Sequence, residues 1–251
     1  MKWALLSDVH ANWTAWKACV AHARLQGVTH WAILGDLIGY GPHPAEIVDA
    51  VRDMQLSTSA VVLRGNHEEL ALRGAKGDSM GALTAVWTRD QLSAEQRAWL
   101  AELPLTHVEG PMMLVHASAD APERWHYVED TRSASRSLDA ALDGHPDVRY
   151  VLGGHVHEQT LYYRGKGQQL MPFKPKAGVA VPVPSHRHWL ATIGSVGQPR
   201  DGNTRAAYAT LDLDRKELCF HRVGYDHMAT ARAVRDAGLP DQLACRLENG
   251  T

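Results

Sequence analysis

The feature that most constrains this chain is a recurrence in its first 157 residues. Five short apolar runs, at residues 3–6, 31–34, 60–63, 112–115 and 150–152, each stop abruptly at a polar residue or glycine. Each is too short for a core helix, and stretches with helical spacing separate them. Trp13, Trp16, Val20 and Ala23 recur on one helical face, with Gly27 placed to end that helix. Pro44 introduces a second helix over 45–54, and Ser93 with Gln96 forms a capping-box pattern ahead of a third. A fourth runs to about residue 142 from Ser133. Alternation of this kind predicts parallel βαβ units with the strands in one sheet.

The residues just past each run are as regular as the runs themselves. The first run leads into Asp8 and His10, the second into Gly35-Asp36, and the third into Gly65-Asn66-His67-Glu68. The fourth leads into His116 and the fifth into Gly154-His155-Val156-His157. Ligands bind at the carboxyl ends of strands in open α/β sheets, so these side chains are expected to converge on one rim. Imidazole nitrogens with carboxylate and amide oxygens suit borderline divalent cations such as Mn, Fe, Zn, Co or Ni. A carboxylate can bridge two ions about 3.5–4 Å apart, and Asp36, alone on its strand end, is the natural bridge. Asp, Asn and Gly individually are ordinary turn formers. Histidine at strand end after strand end is not explained by turn chemistry. The glycines before Asp36, Asn66 and His155 fit turns where a side chain would crowd the site.

Beyond His157 the pattern changes. Residues 161–163, 189–193, 206–213 and 217–223 read as strands, the last two joined by a tight turn over 212–216, and this half is expected to be antiparallel and to form a second sheet. Residues 164–188, with Lys166, Lys174 and Lys176, lack periodicity and read as a loop. Residues 228–237 read as a helix ended by Gly238, with Pro240 beyond. The whole of 1–251 is expected to be one domain.

Composition narrows the function. With 26 Lys+Arg against 28 Asp+Glu, the net charge is −2, which argues against a dedicated nucleic-acid surface. No apolar stretch approaches the roughly 20 residues of a membrane span, and the N-terminal run meets Asp8 too soon for a signal peptide. The 3 scattered cysteines suit a reducing cytoplasm.

The series Asp8-x-His10, Gly35-Asp36, Gly65-Asn66-His67-Glu68, His116 and Gly154-His155-x-His157 resembles the calcineurin-like metallophosphoesterase superfamily. All five blocks stand in the family's order. The stretch from Gly194 to Gly202 is similar to a subgroup of small bacterial phosphoesterases. The resemblance implies a four-layer αββα sandwich of two mixed sheets flanked by helices. It implies one metal held by Asp8, His10, Asp36 and His157, and a second held by Asp36, Asn66, His116 and His155. A hydroxide bridging the two ions, with manganese the expected pair, would attack phosphorus, and His67 would protonate the leaving oxygen or stabilise phosphoryl charge.

The substrate is less constrained. In phosphoprotein phosphatases and their dinucleoside tetraphosphatase relatives, the Gly-Asp block continues into an Asp-Arg pair whose arginine grips phosphate. Here it continues as Leu37-Ile38-Gly39-Tyr40. Small phosphodiesters are therefore the expected substrates. A phosphomonoesterase acting on nucleotides or phosphoproteins is one alternative, and a non-catalytic metal-binding scaffold is another. Arg64, Arg200 and His43 are the candidate substrate contacts, and a monoesterase would need Arg64 or Arg200 aimed at the metals.

Overall fold

The computed structural model describes residues 1–74, 77, 79–165 and 169–251. In chain order the elements begin with β1 (Lys2–Leu6), α1 (Trp13–Leu25), β2 (His30–Ile33), α2 (Pro44–Thr58) and β3 (Val61–Val62). Three helices come next, α3 (Asn66–Arg73), α4 (Met80–Gln91) and α5 (Ala94–Glu102). Then come β4 (Thr106–Glu109), β5 (Met112–Val115), α6 (Thr131–Gly144), β6 (Tyr150–Gly153) and β7 (Gln159–Arg164). The remainder is β8 (Leu170–Phe173), β9 (Ala180–Pro182), β10 (His188–Ile193), β11 (Ala206–Asp212), β12 (Glu217–Val223), α7 (His227–Asp236) and α8 (Asp241–Asn249). No helix among the described residues is long and apolar enough to cross a membrane.

The strands form two mixed six-stranded sheets, ordered β3-β2-β1-β11-β12-β9 and β4-β5-β6-β10-β7-β8. Helices flank the pair, giving the four layers expected. Alternation along β1 shows how the layers are made. Trp3 and Leu5 join the core between the sheets with Met112, Leu114, Tyr150 and Phe220. Ala4 and Leu6 face the other way, onto Trp16, Val20, Ile47 and Val51 of α1 and α2. On the far side, Met113, Val115 and Val151 pack on Ala134, Leu138 and Ala141 of α6. Strands buried on both faces read as unbroken apolar runs, which is why the interior strands stand out in the sequence.

Two expectations need correction. The βαβ half does not make one sheet and the second half another. β1 pairs parallel to β2 but antiparallel to β11, and β6 pairs parallel to both β5 and β10. Each sheet is completed by strands from the other half, because an apolar run carries no information about which distant run pairs with it. The stretch 164–188 is not simply a loop: β8 pairs with β7 and β9 with β12. Both are edge strands with little burial, and both contain proline, Pro172 and Pro182, which sheet edges tolerate. Lys166 lies outside the described residues, and Lys174 pairs with Glu158 at 3.4 Å.

Candidate metal centre

Every block singled out in the sequence lies at the carboxyl end of a strand. Asp8 and His10 follow β1, Asp36 follows β2, Asn66 opens α3 just past β3, His116 follows β5, and His155 and His157 follow β6. The loops are knitted together by backbone bonds: Asp8 N–H donates to Gly35 O (3.1 Å), His10 N–H to Asp36 O (2.9 Å) and Gly154 N–H to His116 O (2.8 Å). Asp8, His10, Asp36, His67, His116, His155 and His157 are all buried, and Asn66 is half-buried. Asp8, His10, Asp36, His155 and His157 have φ of 54°, 48°, 50°, 67° and 64°. Left-handed backbone at a non-glycine residue costs on the order of 1–3 kcal/mol each and clusters at functional sites.

The glycines are needed for close approach. A Cβ on Gly65 would fall on Asp36 Oδ1 and N, and one on Gly154 would fall on Ser7 Oγ and Asp8 Oδ2.

Asp8, His10, Asp36, His116 and His157 are anchored from outside and turn their other donor atom inward. Asp8 Oδ2 accepts from His155 N–H at 2.9 Å, while Oδ1, 3.2 Å from His157 Nε2, is buried without a hydrogen-bond partner. Asp36 Oδ1 accepts from His67 N–H at 2.9 Å, and Oδ2 lies 3.8 Å from His10 Nε2 and 3.3 Å from His116 Nε2. The Nδ1 atoms of His10, His116 and His157 face the carbonyls of Ile38 (3.3 Å), Leu34 (2.8 Å) and Gln198 (2.5 Å). A carbonyl only accepts, so those nitrogens carry the protons and the Nε2 atoms face inward. His10 Nε2 and His157 Nε2 are 3.0 Å apart, His116 Nε2 is 3.1 Å from Asn66 Oδ1, and His155 Nε2 is buried without a partner. The facing Nε2 lone pairs of His10 and His157, beside the orphaned buried atoms, are what shared cations would satisfy. Two groups, Asp8-His10-His157 and Asp36-His116-His155, have ligand atoms within 4.8 Å of one another and could each hold an ion. Each falls inside one of the two sets implied by the resemblance, the first without Asp36 and the second without Asn66, and Asp36 Oδ2 lies between His10 and His116. His67 also comes within reach of a cation, in a third group with His10 and Asp36, although the sequence reading left it off the metals.

The electrostatics favour the metal-binding protonation state at His10, His155 and Asp36 but not at His116. Burial, with the neighbouring His157 and His67, holds the His10 imidazole well below its ordinary range, and burial with His116 pulls His155 down to about 3. Burial also lowers His67. Burial opposes charge on Asp36 and His116, but their mutual attraction overrides it: Asp36 lies well below the usual carboxylate range and His116 is raised to about 9. Neutral imidazole and ionised carboxylate are the ligating forms, so an ion bound at His116 would have to displace its second proton.

Four residues escaped the sequence reading. Glu68 is wholly buried and accepts from four backbone N–H groups: Asp36 (2.9 Å) and Gly65 (2.6 Å) on Oε2, Leu37 (2.8 Å) and Ile38 (3.2 Å) on Oε1. It locks the Asp36 loop to the start of α3. Its signal was legible, an acid at the capping-box position three residues into a helix entry. Tyr40 lies 4.3 Å from His67 and 4.6 Å from His10 between ring centroids. Tyr127 stacks on His155 at 4.0 Å, and Trp125 meets His116 edge-on at 5.8 Å. No local pattern marks these aromatics.

The three candidate substrate contacts diverge. Arg64 reaches away, its Nη1 donating to Ala101 O in α5 at 3.3 Å. Arg200 stands at the rim, its guanidinium 5.7 Å from the Tyr40 ring centroid. His43 precedes α2, half-buried and outside the donor groups.

Residues 1–216 match the calcineurin-like phosphoesterase superfamily domain. The crystal structure of a metallophosphoesterase from Sphaerobacter thermophilus superposes with a TM-score of 0.86 at 32% identity, covering 100% of this chain and 99% of that one. An uncharacterised protein from Methanocaldococcus jannaschii is 29% identical over 256 residues, 97% of this chain and 96% of its own length. A symmetrical bis(5'-nucleosyl)-tetraphosphatase from Aromatoleum aromaticum is 34% identical over 120 residues, 45% of this chain and 41% of that enzyme. With the domain matched over 1–216 and a metallophosphoesterase similar along its whole length, this chain belongs to the calcineurin-like phosphoesterase superfamily and is a phosphoester hydrolase.

Proposed function

We propose that this protein is a cytoplasmic, dinuclear metal-dependent phosphodiesterase acting on small substrates. The observation that carries the reading is the ring of inward-facing donors: Asp8, His10, Asp36, His116 and His157 are each anchored from behind, Asn66 Oδ1 lies beside His116, and His155 Nε2 is left without a partner. Two divalent cations bound there, manganese being our choice, supply Lewis acidity that neutralises phosphoryl charge and lowers the pKa of water. In the hydrolysis, the water oxygen forms the new P–O bond and the P–O bond to the leaving alcohol breaks. That alcohol takes up a proton, leaving a phosphomonoester. In this reading His67, buried against Tyr40 and His10, delivers that proton, which it must first take up because burial lowers its pKa.

The preference for diesters rests on the rim. A dianionic monoester needs an extra cation to grip its oxygens, and of the two candidate arginines Arg64 points elsewhere, which leaves Arg200 alone at the rim. The free cysteines Cys19, Cys219 and Cys245 support a reducing compartment. The deciding experiment is a paired rate assay on enzyme stripped with chelator and reloaded with Mn²⁺. Bis(p-nitrophenyl) phosphate is expected to be cleaved faster than p-nitrophenyl phosphate, with activity lost on stripping. A faster monoester rate would replace this reading with the phosphomonoesterase one, and activity that survives stripping would end the metal-dependent reading.

A further inference from the structure

A cavity of about 420 Å³ opens beside the cluster, with Tyr127, Val156, Glu129, Glu158, Thr160 and Arg200 in its walls. It shares two walls with the metal centre. Val156 sits between His155 and His157 in the chain, and Tyr127 lies nearly flat on the His155 imidazole, its plane tilted by 29°. Tyr127 is 49% exposed, so the ring face turned away from His155 is open. Arg200 marks the cluster end: it stands over Tyr40, its Nη2 donates to Gln198 Oε1 at 3.0 Å, and its Nε is buried without a partner.

Away from the cluster the chemistry of the lining changes from cation to acceptor. Among the described residues Glu158 pairs only with the exposed Lys174, and Glu129 has no ion pair. Thr160 adds a hydroxyl. Small-molecule sites generally span about 300–1,000 Å³, so this cavity is large enough for a substrate arm. An arm that suits it carries a planar ring for Tyr127 and hydroxyl or amino hydrogens for the two carboxylates. A second phosphate there would offer no hydrogen-bond donors and would meet two like charges.

We infer that this cavity is a nucleoside subsite, and that the preferred substrate is a phosphodiester with a single phosphate between a nucleoside and a second alcohol. The base stacks on Tyr127, the sugar hydroxyls donate to Glu158 and Glu129, and Arg200 meets the phosphate at the cluster end. The inference rests on the phosphodiesterase reading above and adds the class of substrate. Base–aromatic stacking is sequence-tolerant, so the subsite is expected to accept several bases.

The test compares thymidine 5′-(p-nitrophenyl phosphate) with methyl p-nitrophenyl phosphate on the Mn²⁺-loaded enzyme, since the two share phosphate and leaving group. The nucleoside ester is expected to have a kcat/KM about tenfold higher, mostly through KM, from the stacked base. Tyr127→Ala should bring that ratio close to one, and Tyr127→Phe, which keeps the ring, should preserve it. Calorimetry on the metal-free protein gives a readout independent of turnover: thymidine monophosphate should bind more tightly than methyl phosphate, and Tyr127→Ala should abolish the difference. Equal kcat/KM for both diesters with equal affinities would overturn the subsite and leave the phosphodiesterase reading standing. Cleavage of p-nitrophenyl phosphate but of neither diester would overturn the phosphodiesterase reading, and calorimetry would still decide the subsite. A dinucleoside tetraphosphate cleaved faster than the nucleoside monophosphodiester would overturn the single-phosphate assignment.

Discussion

Asp36 carries more of this site than any other side chain, because one of its oxygens is held by the His67 amide and the other stands between His10 and His116. Asp36→Asn keeps the shape and removes the charge. We expect elemental analysis of the purified variant to fall from about two bound ions per chain toward none, since a bridging carboxylate serves both sites. Metal content that stays near two would refute the bridge. His67 makes a separate prediction. His67→Ala should keep the metals yet lower turnover by roughly 10²–10⁴-fold, with the greatest loss on poor leaving groups. Equal losses across leaving groups would remove it from the acid's role. At this scale the sequence was informative because few residue types ligate borderline cations, and they recur after apolar runs. Tyr40, Tyr127 and Trp125 were not legible, since an aromatic beside a ligand has no spacing rule and finds its partner through folding.

Among the elements, the loop that follows β2 depends on Glu68 of α3. Its two oxygens satisfy the amides of Asp36, Leu37, Ile38 and Gly65, three of which lie in that loop. Glu68→Gln would turn an NH₂ group toward two of those donors. Each buried donor left unsatisfied costs about 1–3 kcal/mol, so we expect a loss of roughly 2–5 kcal/mol in urea unfolding together with weaker metal retention. A loss under about 1 kcal/mol, with metals held, would show that the clamp is dispensable. Element legibility tracked burial. Interior strands announced themselves as apolar runs, whereas β4, β8 and β9 sit at or beside sheet edges with mostly exposed residues and no alternation. Helix α4 was hidden for the opposite reason. It buries Gly81, Ala82 and Ala85 and exposes Leu83 and Val86, so its apolar pattern points away from the core.

For the whole molecule, pH stability should be governed partly by a histidine far from the metals along the chain. His221 on β12 is buried, stacked on Tyr208 at 4.7 Å and 2.9 Å from Thr210 Oγ1. Burial, with the charges of His22 and Lys2, lowers its pKa from 6.5 to about 4. The unfolded chain therefore binds a proton that the folded chain refuses, and the stability present above pH 6.5 is lost as pH falls toward about 4. The urea midpoint should decline across that window, and His221→Gln should flatten the decline. An unchanged slope in the variant would assign the loss to other groups. The two-sheet arrangement is also a property of this scale. β1, β2 and β3 come from one sheet and β5 and β6 from the other, yet all five ends meet at one rim. By itself the sequence determined the donor set, its order along the chain and the interior strands, because ligand chemistry and two-sided burial are written in neighbouring residues. Only the tertiary structure decided which sheet each strand joined, which arginine reached the rim and which aromatics walled the cavity. Those outcomes depend on contacts between residues far apart in the chain, and the short runs that carry the strands fit more than one partner.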